Sequence, residues 1–420
     1  MTLDDPTRRR AHRAVVVAFL AHGVVSGSWF VRIPDLRDLA GLSDGGLGLV
    51  LAALGIGAVV SMPLAGALAT RHGSAPAMRW LLPPLLAVLA LAAQASAPLT
   101  LALGSLAFGA ALGAHDIAIN AHGVAVEHER GRPVLSGMHA AFSIGTLLGA
   151  GVGALAMAAD VAPRVHLLAI AAVTALALLA YRHLLPAAVD RHRTAVRAVP
   201  PTLGERLAPL RRRWLLACAI AAMASFIAEN AVGEWSGVLL RDHRDASPAL
   251  AAIGFLAFSL AMTVGRLTGD RMVAALGDRR TLLLGGALAG TAWALVALVD
   301  DAGVAIAAWV VAGLALANAV PIVFRAAGAR RPVGPDGRPA PVPAQALAAV
   351  SGLGYAGGLL GPSLIGAVAE LLDLPTAMLI PALLAASIAL LARSATGGER
   401  LPSTAARSRP AANASPTPTA

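Results

Sequence analysis

Residues 302–324 read AGVAIAAWVVAGLALANAVPIVF, a run that contains no charged side chain. A helix that crosses a lipid bilayer needs about 20 mostly apolar residues, so this run is long enough to span one. Eleven other segments are similarly long and mostly apolar: 14–32, 46–69, 77–95, 99–124, 134–158, 163–184, 213–240, 248–273, 280–299, 344–370 and 374–393. The sequence therefore predicts an all-α membrane protein with twelve transmembrane helices.

The composition of the whole chain agrees with this prediction. Hydrophobic residues make up 57% of the chain and charged residues 13%, whereas a soluble domain carries about 25% charged residues. The single cysteine, Cys218, leaves no basis for a disulfide or a cysteine metal site within the chain. The GxxxxGK[ST], HExxH and GxSxG motifs are also missing from the sequence. We therefore expect no enzyme activity, no cofactor and no metal.

The arginines follow the pattern of a membrane topology. The net charge is +10, but the arginines lie in short loops between apolar runs and not on one amphipathic face, which argues against nucleic acid as a partner. If the N-terminus is cytoplasmic, few arginines fall outside: Arg32, Arg37, Arg164, Arg241 and Arg244. Because cytoplasmic loops are enriched in arginine, both termini are predicted to be cytoplasmic.

Six predicted helices lie on each side of an Arg- and Pro-rich stretch. The predicted parts are a cytoplasmic N-terminus at 1–13, a six-helix bundle at 14–184, a cytoplasmic linker at 185–212, a second bundle at 213–394 and a disordered cytoplasmic tail at 395–420. Two short matches support two related halves: GTLLG at 145–149 with GGLLG at 357–361, and FLAH at 19–22 with FIAE at 226–229.

Asp116 stands inside the fourth predicted helix, where an acid costs about 2.5–3.5 kcal/mol and normally faces a cavity or a partner. Asn120 follows four residues later, so the two side chains share a helical face. His139 enters the fifth helix at a comparable depth, and we expect it to reach Asp116. A carboxylate and a histidine in a poorly hydrated cavity suit proton coupling or substrate binding. The alternative is a hydrogen-bond network that fixes helices four and five.

The seventh predicted helix contains Glu229, Asn230 and Glu234. Glu229 is a second candidate for proton coupling, and the other two are candidates for the substrate cavity. The three positions scatter around the helix, so they cannot all face one cavity. The FLAH and FIAE match makes His22 equivalent to Glu229, so both are expected to look into a central pore. Solvation near the outer helix end is the alternative explanation of Glu234.

Four further residues are candidates for the wall of the substrate cavity. Trp29 and Trp235 stand near the outer ends of helices one and seven, where an interfacial aromatic belt or a stacking platform for a sugar ring explains them. Asn318 and Gln345 are candidate amide donors. Arg32 is expected to extend to the membrane surface or to pair with Asp35, and the less favoured alternative is that it neutralises an anionic substrate.

Two similar motifs at the inner ends of helices two and eight are predicted to be loop elements of a gate. Glycine permits close approach of backbones there, and an acid beside arginines can latch one state. The candidates are Gly66, Arg71, Gly73, Gly265, Arg266, Gly269, Asp270 and Arg271.

Over residues 14–394 the chain resembles the major facilitator superfamily, and more narrowly bacterial inner-membrane members related to the fucose–proton symporters. The stretches that carry the resemblance are WFVRIP at 29–34 with GLS at 41–43, DIAIN at 116–120 with Glu127 and GRP at 131–133, HAAFSIG at 139–145, Glu229 with Trp235-Ser236, and GRLTGD at 265–270. Two residues depart from this likeness. His22 stands where sugar symporters are expected to have a carboxylate or amide, which argues against fucose as the substrate, and Glu234 replaces an expected aspartate.

The resemblance implies a monomer in the bacterial inner membrane, with two six-helix bundles that rock around a central site. It also implies proton-coupled uptake of a small polar solute, often a sugar. Two other functions remain open on the sequence. One is a proton-driven exporter of small molecules or drugs, which the scarcity of aromatics disfavours. The other is a membrane sensor without transport, which the short loops disfavour.

Overall fold

The structure is a computed structural model that describes residues 4–131, 134–186, 208–329 and 344–396. Within these ranges it contains helices and no strand, and twelve helical spans are long and apolar enough to cross a membrane. The all-α class and the number of spans are therefore confirmed. In chain order the spans are α1 Asp5–Val31, α2 Asp44–His72, α3 Ser74–Ala92, α4 Pro98–Arg130, α5 Leu135–Ala158, α6 Pro163–Tyr181, α7 Arg213–His243, α8 Pro248–Leu276, α9 Asp278–Leu298, α10 Ala302–Ala327, α11 Ala344–Leu371 and α12 Leu374–Thr396.

Three of these spans consist of two helices each. They are α6, with Pro163–Thr174 and Ala177–Tyr181; α10, with Ala302–Leu316 and Ala319–Ala329, the second of which continues two residues past the span; and α12, with Leu374–Ala377 and Leu379–Thr396. A short helix, Ile33–Ala40, connects α1 to α2. We call the end of the molecule that carries it the short-helix face, and the opposite end, where α6 ends and α7 begins, the linker face. Most of the predicted linker and tail, residues 187–207 and 397–420, lies outside the described residues.

Local sequence explains where the helices begin. Asp4 accepts a hydrogen bond from the backbone N–H of Thr7, so α1 begins nine residues before its predicted start. Ser43, Ser247 and Asp301 cap α2, α8 and α10 in the same way. Each of these side chains satisfies one of the backbone N–H groups that the first turn of a helix leaves unpaired.

The first bundle is packed through glycines that bring helix backbones together. A Cβ atom at Gly23 of α1 would lie 2.1 Å from the carbonyl oxygen of Phe142 of α5, and one at Gly145 of α5 would lie 2.1 Å from that of Leu20. Gly57 of α2 and Gly109 of α4 make the equivalent approach between their helices. Such contacts are how helices associate in lipid, where small residues give close van der Waals fit.

The two bundles touch through α2 with α11 and through α5 with α8. A Cβ atom at Gly48 of α2 would lie 2.9 Å from the carbonyl oxygen of Pro362 of α11, and one at Gly55 would lie 2.7 Å from the side chain of Leu359. The contact between α5 and α8 is looser, because a Cβ atom at Gly151 of α5 would lie 3.9 Å from the side chain of Leu256 of α8. These contacts lie in the half of the molecule toward the short-helix face.

The predicted gate loops are helical. Gly66 and Arg71 belong to the last turns of α2, which ends at His72, and Gly73 follows it with a φ of +95°. The stretch 265–271 lies inside α8, which continues to Leu276. The prediction of loops there was wrong because polar residues end a hydrophobic run without ending the helix.

Candidate functional site

The first bundle holds one acid near the middle of a helix. At about 1.5 Å per residue, Asp116 lies roughly 27 Å and 21 Å from the two ends of α4. Its side chain is 38% exposed. Asn120 donates through Nδ2 to Oδ1 of Asp116 at 3.1 Å and to its carbonyl oxygen at 2.9 Å, as the shared helical face predicted. Nε2 of His22 lies 3.9 Å from Oδ1. Asp116 therefore has an amide donor and a histidine as neighbours.

The histidine beside Asp116 comes from α1 and not from α5. His139 is exposed and packs edge-on against Phe19, with the ring centroids 5.1 Å apart. We expected His139 to reach Asp116, but the structure places His22 within ion-pair distance of that acid. His22 itself is buried inside the first bundle. The expectation that it lines the central pore was therefore wrong.

Behind His22 lies a pair of residues that the sequence interpretation did not select. Nδ1 of His22 is 3.1 Å from Nδ1 of His115, and Nε2 of His115 is 3.0 Å from the hydroxyl of Tyr181. His115 and Tyr181 are almost completely buried. The available signal was the His115-Asp116 dipeptide and the rarity of tyrosine, of which the chain has two.

The second bundle holds its mid-helix acid in a different setting. Glu229 of α7 accepts a hydrogen bond from Oγ of Ser225 at 2.8 Å and pairs with Nη2 of Arg266 of α8 at 3.1 Å. The side chains of Glu229 and Arg266 are 14% and 45% exposed. Arg266 also interacts electrostatically with His139 of the other bundle. Arg266, which was expected to act in a gate, therefore lies between the two bundles beside Glu229.

Other candidates of α7 and α1 lie in packed interior. Glu234 is buried, and so are Trp29 and Trp235. The ring of Trp29 packs on Phe108 with centroids 4.5 Å apart. The structure therefore places neither indole at an exposed surface. Asn230, by contrast, is half-buried, with its amide against α11 at Gly358.

The remaining candidates do not converge on one site. Nδ2 of Asn318 is buried and donates to the carbonyl oxygen of Gly265 at 3.3 Å, and Gly269 packs against the same amide, so these residues join α10 to α8. Arg71 and Arg271 are exposed near the linker face. The side chains of Gln345 and Asp270 lie outside the described residues.

Several ion pairs join the two bundles at the short-helix face. Arg241 of α7 pairs with Asp35 at 2.6 Å and with Asp38 at 2.9 Å, both on the short helix. In the opposite direction, Arg37 of the short helix pairs with Asp242 of α7. We call these five residues the gate cluster. Close by, Glu370 of α11 accepts a hydrogen bond from the backbone N–H of Gly45 at 2.9 Å, and Arg32 pairs with Asp35 at 2.5 Å, as predicted.

Partial burial raises the pKa of Asp38 above its ordinary value, and the guanidinium of Arg241 opposes that shift. Asp38 therefore loses its charge at a higher pH than a free aspartate would. Because the protonated form cannot pair with Arg241, acidification at this face weakens one of the ion pairs that join the bundles.

Within the described ranges no group of three or more His, Cys, Asp or Glu residues has a metal-binding arrangement. Each bundle instead holds one acid in the middle of a helix, with His22 beside Asp116 in the first and Arg266 beside Glu229 in the second. Such a site can bind and release protons and can present hydrogen-bond donors and acceptors to a polar solute.

Comparisons with known proteins agree with this architecture. The family model described as Major Facilitator Superfamily matches residues 14–332. An uncharacterized MFS-type transporter of Yersinia pestis is 34% identical over 382 residues, which cover 90% of this chain and 94% of that protein. A crystal structure of a mutant of the nucleoside transporter NupG superposes with a TM-score of 0.74 at 17% identity, covering 91% of this chain and 98% of the other. The E. coli fucose:proton symporter FucP gives a TM-score of 0.59 at 17% identity, covering 91% and 97%.

Proposed function

This chain belongs to the Major Facilitator Superfamily of membrane transporters, and we propose that it takes up a small polar solute together with protons by alternating access. That it is a multi-pass transporter of small solutes and not an enzyme follows from the family itself. The proton coupling, the direction and the kind of solute are the proposal. A sugar or nucleoside fits the solute class that the names of the similar structures suggest.

The main observation that supports proton coupling is the set of side chains around Asp116. Among the described residues, its carboxylate has an amide and a histidine within reach and no arginine. A charge at this depth that lacks a permanent counter-charge is costly to move through the membrane. Binding a proton removes that cost. We therefore assign Asp116 as the group that must be neutralised before the loaded carrier reorients.

Glu229 has the complementary role. A guanidinium carries a permanent positive charge, so a carboxylate paired with it, as Glu229 is with Arg266, is neutralised without a proton. The exposed part of the guanidinium retains N–H groups that can donate to hydroxyl or carbonyl oxygens of a solute. Asn230 on α7 and His139 on the facing bundle add further polar groups, and together these side chains form the proposed solute site.

The direction of access follows from the arginines and from the contacts between the bundles. We assign the linker face to the cytoplasm because it is the arginine-rich end, so both termini are cytoplasmic in a bacterial inner membrane. The gate cluster and the α2–α11 contact hold the bundles together at the opposite, outer face. These contacts support a carrier whose central site opens inward in this conformation. We also propose that the monomer is the functional unit.

The test is proton movement in proteoliposomes that contain the purified protein, challenged with sugars, sugar acids, nucleosides, amino acids and drugs. We expect at least one polar solute to start proton flux in the wild type and not in Asp116→Asn. Asp160→Asn is a matched control, because Asp160 is an exposed residue with a φ of +51° that asparagine also tolerates. Solute-driven proton flux that persists in Asp116→Asn would contradict the proposal, and drug-driven flux alone would favour export.

A further inference from the structure

A string of three buried side chains lies behind Asp116. It runs from His22, 3.9 Å from the carboxylate, through His115 at 3.1 Å to the hydroxyl of Tyr181 at 3.0 Å. The three residues belong to α1, α4 and α6 and are almost fully buried. They are therefore out of reach of a solute in the cavity, and any role in transport must act through Asp116.

We propose that His22, His115 and Tyr181 form a hydrogen-bonded chain whose direction reverses when Asp116 gains or loses a proton. They are positioning residues for the coupling step. The proposal rests on the proposed function, in which Asp116 is the proton carrier.

The two facing Nδ1 atoms restrict the chain to two neutral arrangements. A neutral imidazole has one N–H, so one Nδ1 must donate and the other must accept. In the first arrangement, the hydroxyl of Tyr181 donates to Nε2 of His115, and Nδ1–H of His115 donates to Nδ1 of His22. The N–H of His22 is then on Nε2 and points toward Asp116. A donor at this place suits the ionised carboxylate.

In the second arrangement every bond points the other way. Nδ1–H of His22 donates to His115, and Nε2–H of His115 donates to the oxygen of Tyr181. Nε2 of His22 is now a bare acceptor, which suits the O–H of a protonated Asp116. The chain therefore has one arrangement for each protonation state of the acid.

The change between the arrangements balances with one proton. Nε2–H of His22 passes its proton to Asp116, Nδ1–H of His115 passes its proton to Nδ1 of His22, and the hydroxyl of Tyr181 passes its proton to Nε2 of His115. The oxygen of Tyr181 takes the incoming proton from water at the end of α6, so it remains a hydroxyl and now accepts from His115. Each histidine therefore keeps a single proton but carries it on the other ring nitrogen. The gain of one positive charge is located on Asp116 alone.

A reversible partner matters because the interior of the bundle has little water. A buried donor or acceptor without a partner costs free energy. A fixed N–H beside Asp116 would favour only the ionised acid, and a fixed acceptor would favour only the protonated acid. A chain that reverses keeps the site hydrogen-bonded in both states, so a proton can bind and leave in every transport cycle.

The helices around the hydrogen-bonded chain contribute few other ionisable groups among the described residues. From α3, Arg79 donates to the backbone carbonyl oxygen of Tyr181 at 2.9 Å and does not meet its hydroxyl group. From α5, the ring of Phe142 packs against His22 with centroids 5.7 Å apart, and His139 is the titratable residue of that helix. Asp116 is thus the acid next to the chain.

The test is NMR of the purified protein with nitrogen-15 in its histidines, because ring-nitrogen shifts distinguish the two tautomers. The signals of His22 and His115 are assigned by their loss in His22→Gln and His115→Gln. In the wild type we expect both rings to change tautomer over a pH titration, and in Asp116→Asn we expect neither to change. Tyr181→Phe should hold the chain in the first arrangement, since the second would leave Nε2–H of His115 without an acceptor.

His122 is the matched control within the same helix. It is as buried as His115, but the backbone N–H of Leu185 donates to its Nε2 at 3.1 Å, and its Nδ1 is 2.7 Å from Oγ of Ser74. A backbone donor cannot reverse, so His122 should keep one tautomer throughout. In transport, His115→Gln is expected to shift the pH profile of uptake and His122→Gln is not.

Tautomers of His22 and His115 that stay constant with pH in the wild type would overturn the proposal. A change that persists in Asp116→Asn would overturn it as well. This readout needs no solute and no transport. If the tautomers change as expected while Asp116→Asn still couples proton flux to a solute, the proposed function is wrong. The proposal of a reversible hydrogen-bonded chain of His22, His115 and Tyr181 is then still supported.

Discussion

The two bundles each hold one acid at the middle of a helix, but they neutralise it differently. In the first bundle, Asp116 lies beside Asn120 and His22, which carry no permanent charge. In the second, Glu229 lies 3.1 Å from the guanidinium of Arg266. The first acid can become neutral by taking up a proton, whereas the second is already balanced. A carboxylate in a membrane helix is therefore not by itself evidence of a proton site, because the presence or absence of a counter-charge decides its role.

Asp116→Asn removes the proposed proton carrier of the first bundle, and the largest effect is expected there. One charge moved through a potential of 100 mV is worth about 2.3 kcal/mol, so the loss of one coupled proton lowers accumulation by up to roughly fiftyfold. Uptake against a gradient should be lost in proteoliposomes, while exchange of labelled for unlabelled solute should continue. Accumulation at the wild-type level would show that Asp116 does not carry the coupled proton.

Arg266→Gln makes the second bundle resemble the first, because Glu229 then lacks its permanent counter-charge. Breaking a buried pair costs about 3–5 kcal/mol. Since Arg266 is nearly half exposed, we expect a smaller loss of about 1–2 kcal/mol. Thermal unfolding in detergent measures the loss, and the double variant Glu229→Gln with Arg266→Gln should regain most of it. A double variant that is no more stable than Arg266→Gln would contradict the pairing.

Glu229→Gln should spare the coupling and change the binding of solute. The variant keeps a hydrogen-bonding amide but leaves Arg266 without its counter-charge, so the guanidinium is free to reorient. We expect the apparent affinity for solute to change on the order of tenfold, the value of one charge-assisted hydrogen bond. Uptake kinetics measure the affinity, and the number of protons per solute should equal that of the wild type. A reduced proton count would place Glu229 in the coupling step.

The smallest effect is expected at the gate cluster, where the charges of the two bundles meet. Because the pKa of Asp38 is raised by partial burial, acidification should weaken its pair with Arg241 and open the outer face slightly. For a pair this exposed the effect is about 0.2–1 kcal/mol. The probe is the reaction of Ala40→Cys, in a Cys218→Ser background, with a membrane-impermeant maleimide.

A maleimide reacts with the thiolate, so each rate is divided by the rate of a free thiol at the same pH. This relative rate at Ala40→Cys should rise as the pH falls, and Asp38→Asn should remove that rise. Asp242→Asn is the comparison variant at the neighbouring pair. An equal pH dependence with and without Asp38→Asn would show that another group responds.

The sequence predicted the spans well because a bilayer imposes length and hydrophobicity on each helix separately. The predicted spans 134–158 and 248–273 differ from α5 and α8 by three residues or fewer at each end. The error was larger for α4, which continues to Arg130, because polar turns beyond the apolar run remain helical. Hydropathy does not register a helix end outside the lipid.

The contacts of the site were harder to predict than its acids. Asp116 and Glu229 stood out because acids are rare in membrane helices, and Asn120 followed from its spacing. The partners come from other helices: His22 is 93 residues before His115, and Arg266 is 37 residues after Glu229. Which helical faces meet depends on packing through glycines such as Gly23 and Gly145, and one sequence does not define that packing.

The central claim is that Asp116 carries the exchangeable proton and Glu229 does not. Infrared difference spectroscopy of the purified protein between high and low pH tests it directly, because a protonated carboxyl group has a C=O band that a carboxylate lacks. We predict a band that disappears in Asp116→Asn and remains in Glu229→Gln. A band that remains in Asp116→Asn and disappears in Glu229→Gln would contradict the claim and assign the proton to the second bundle.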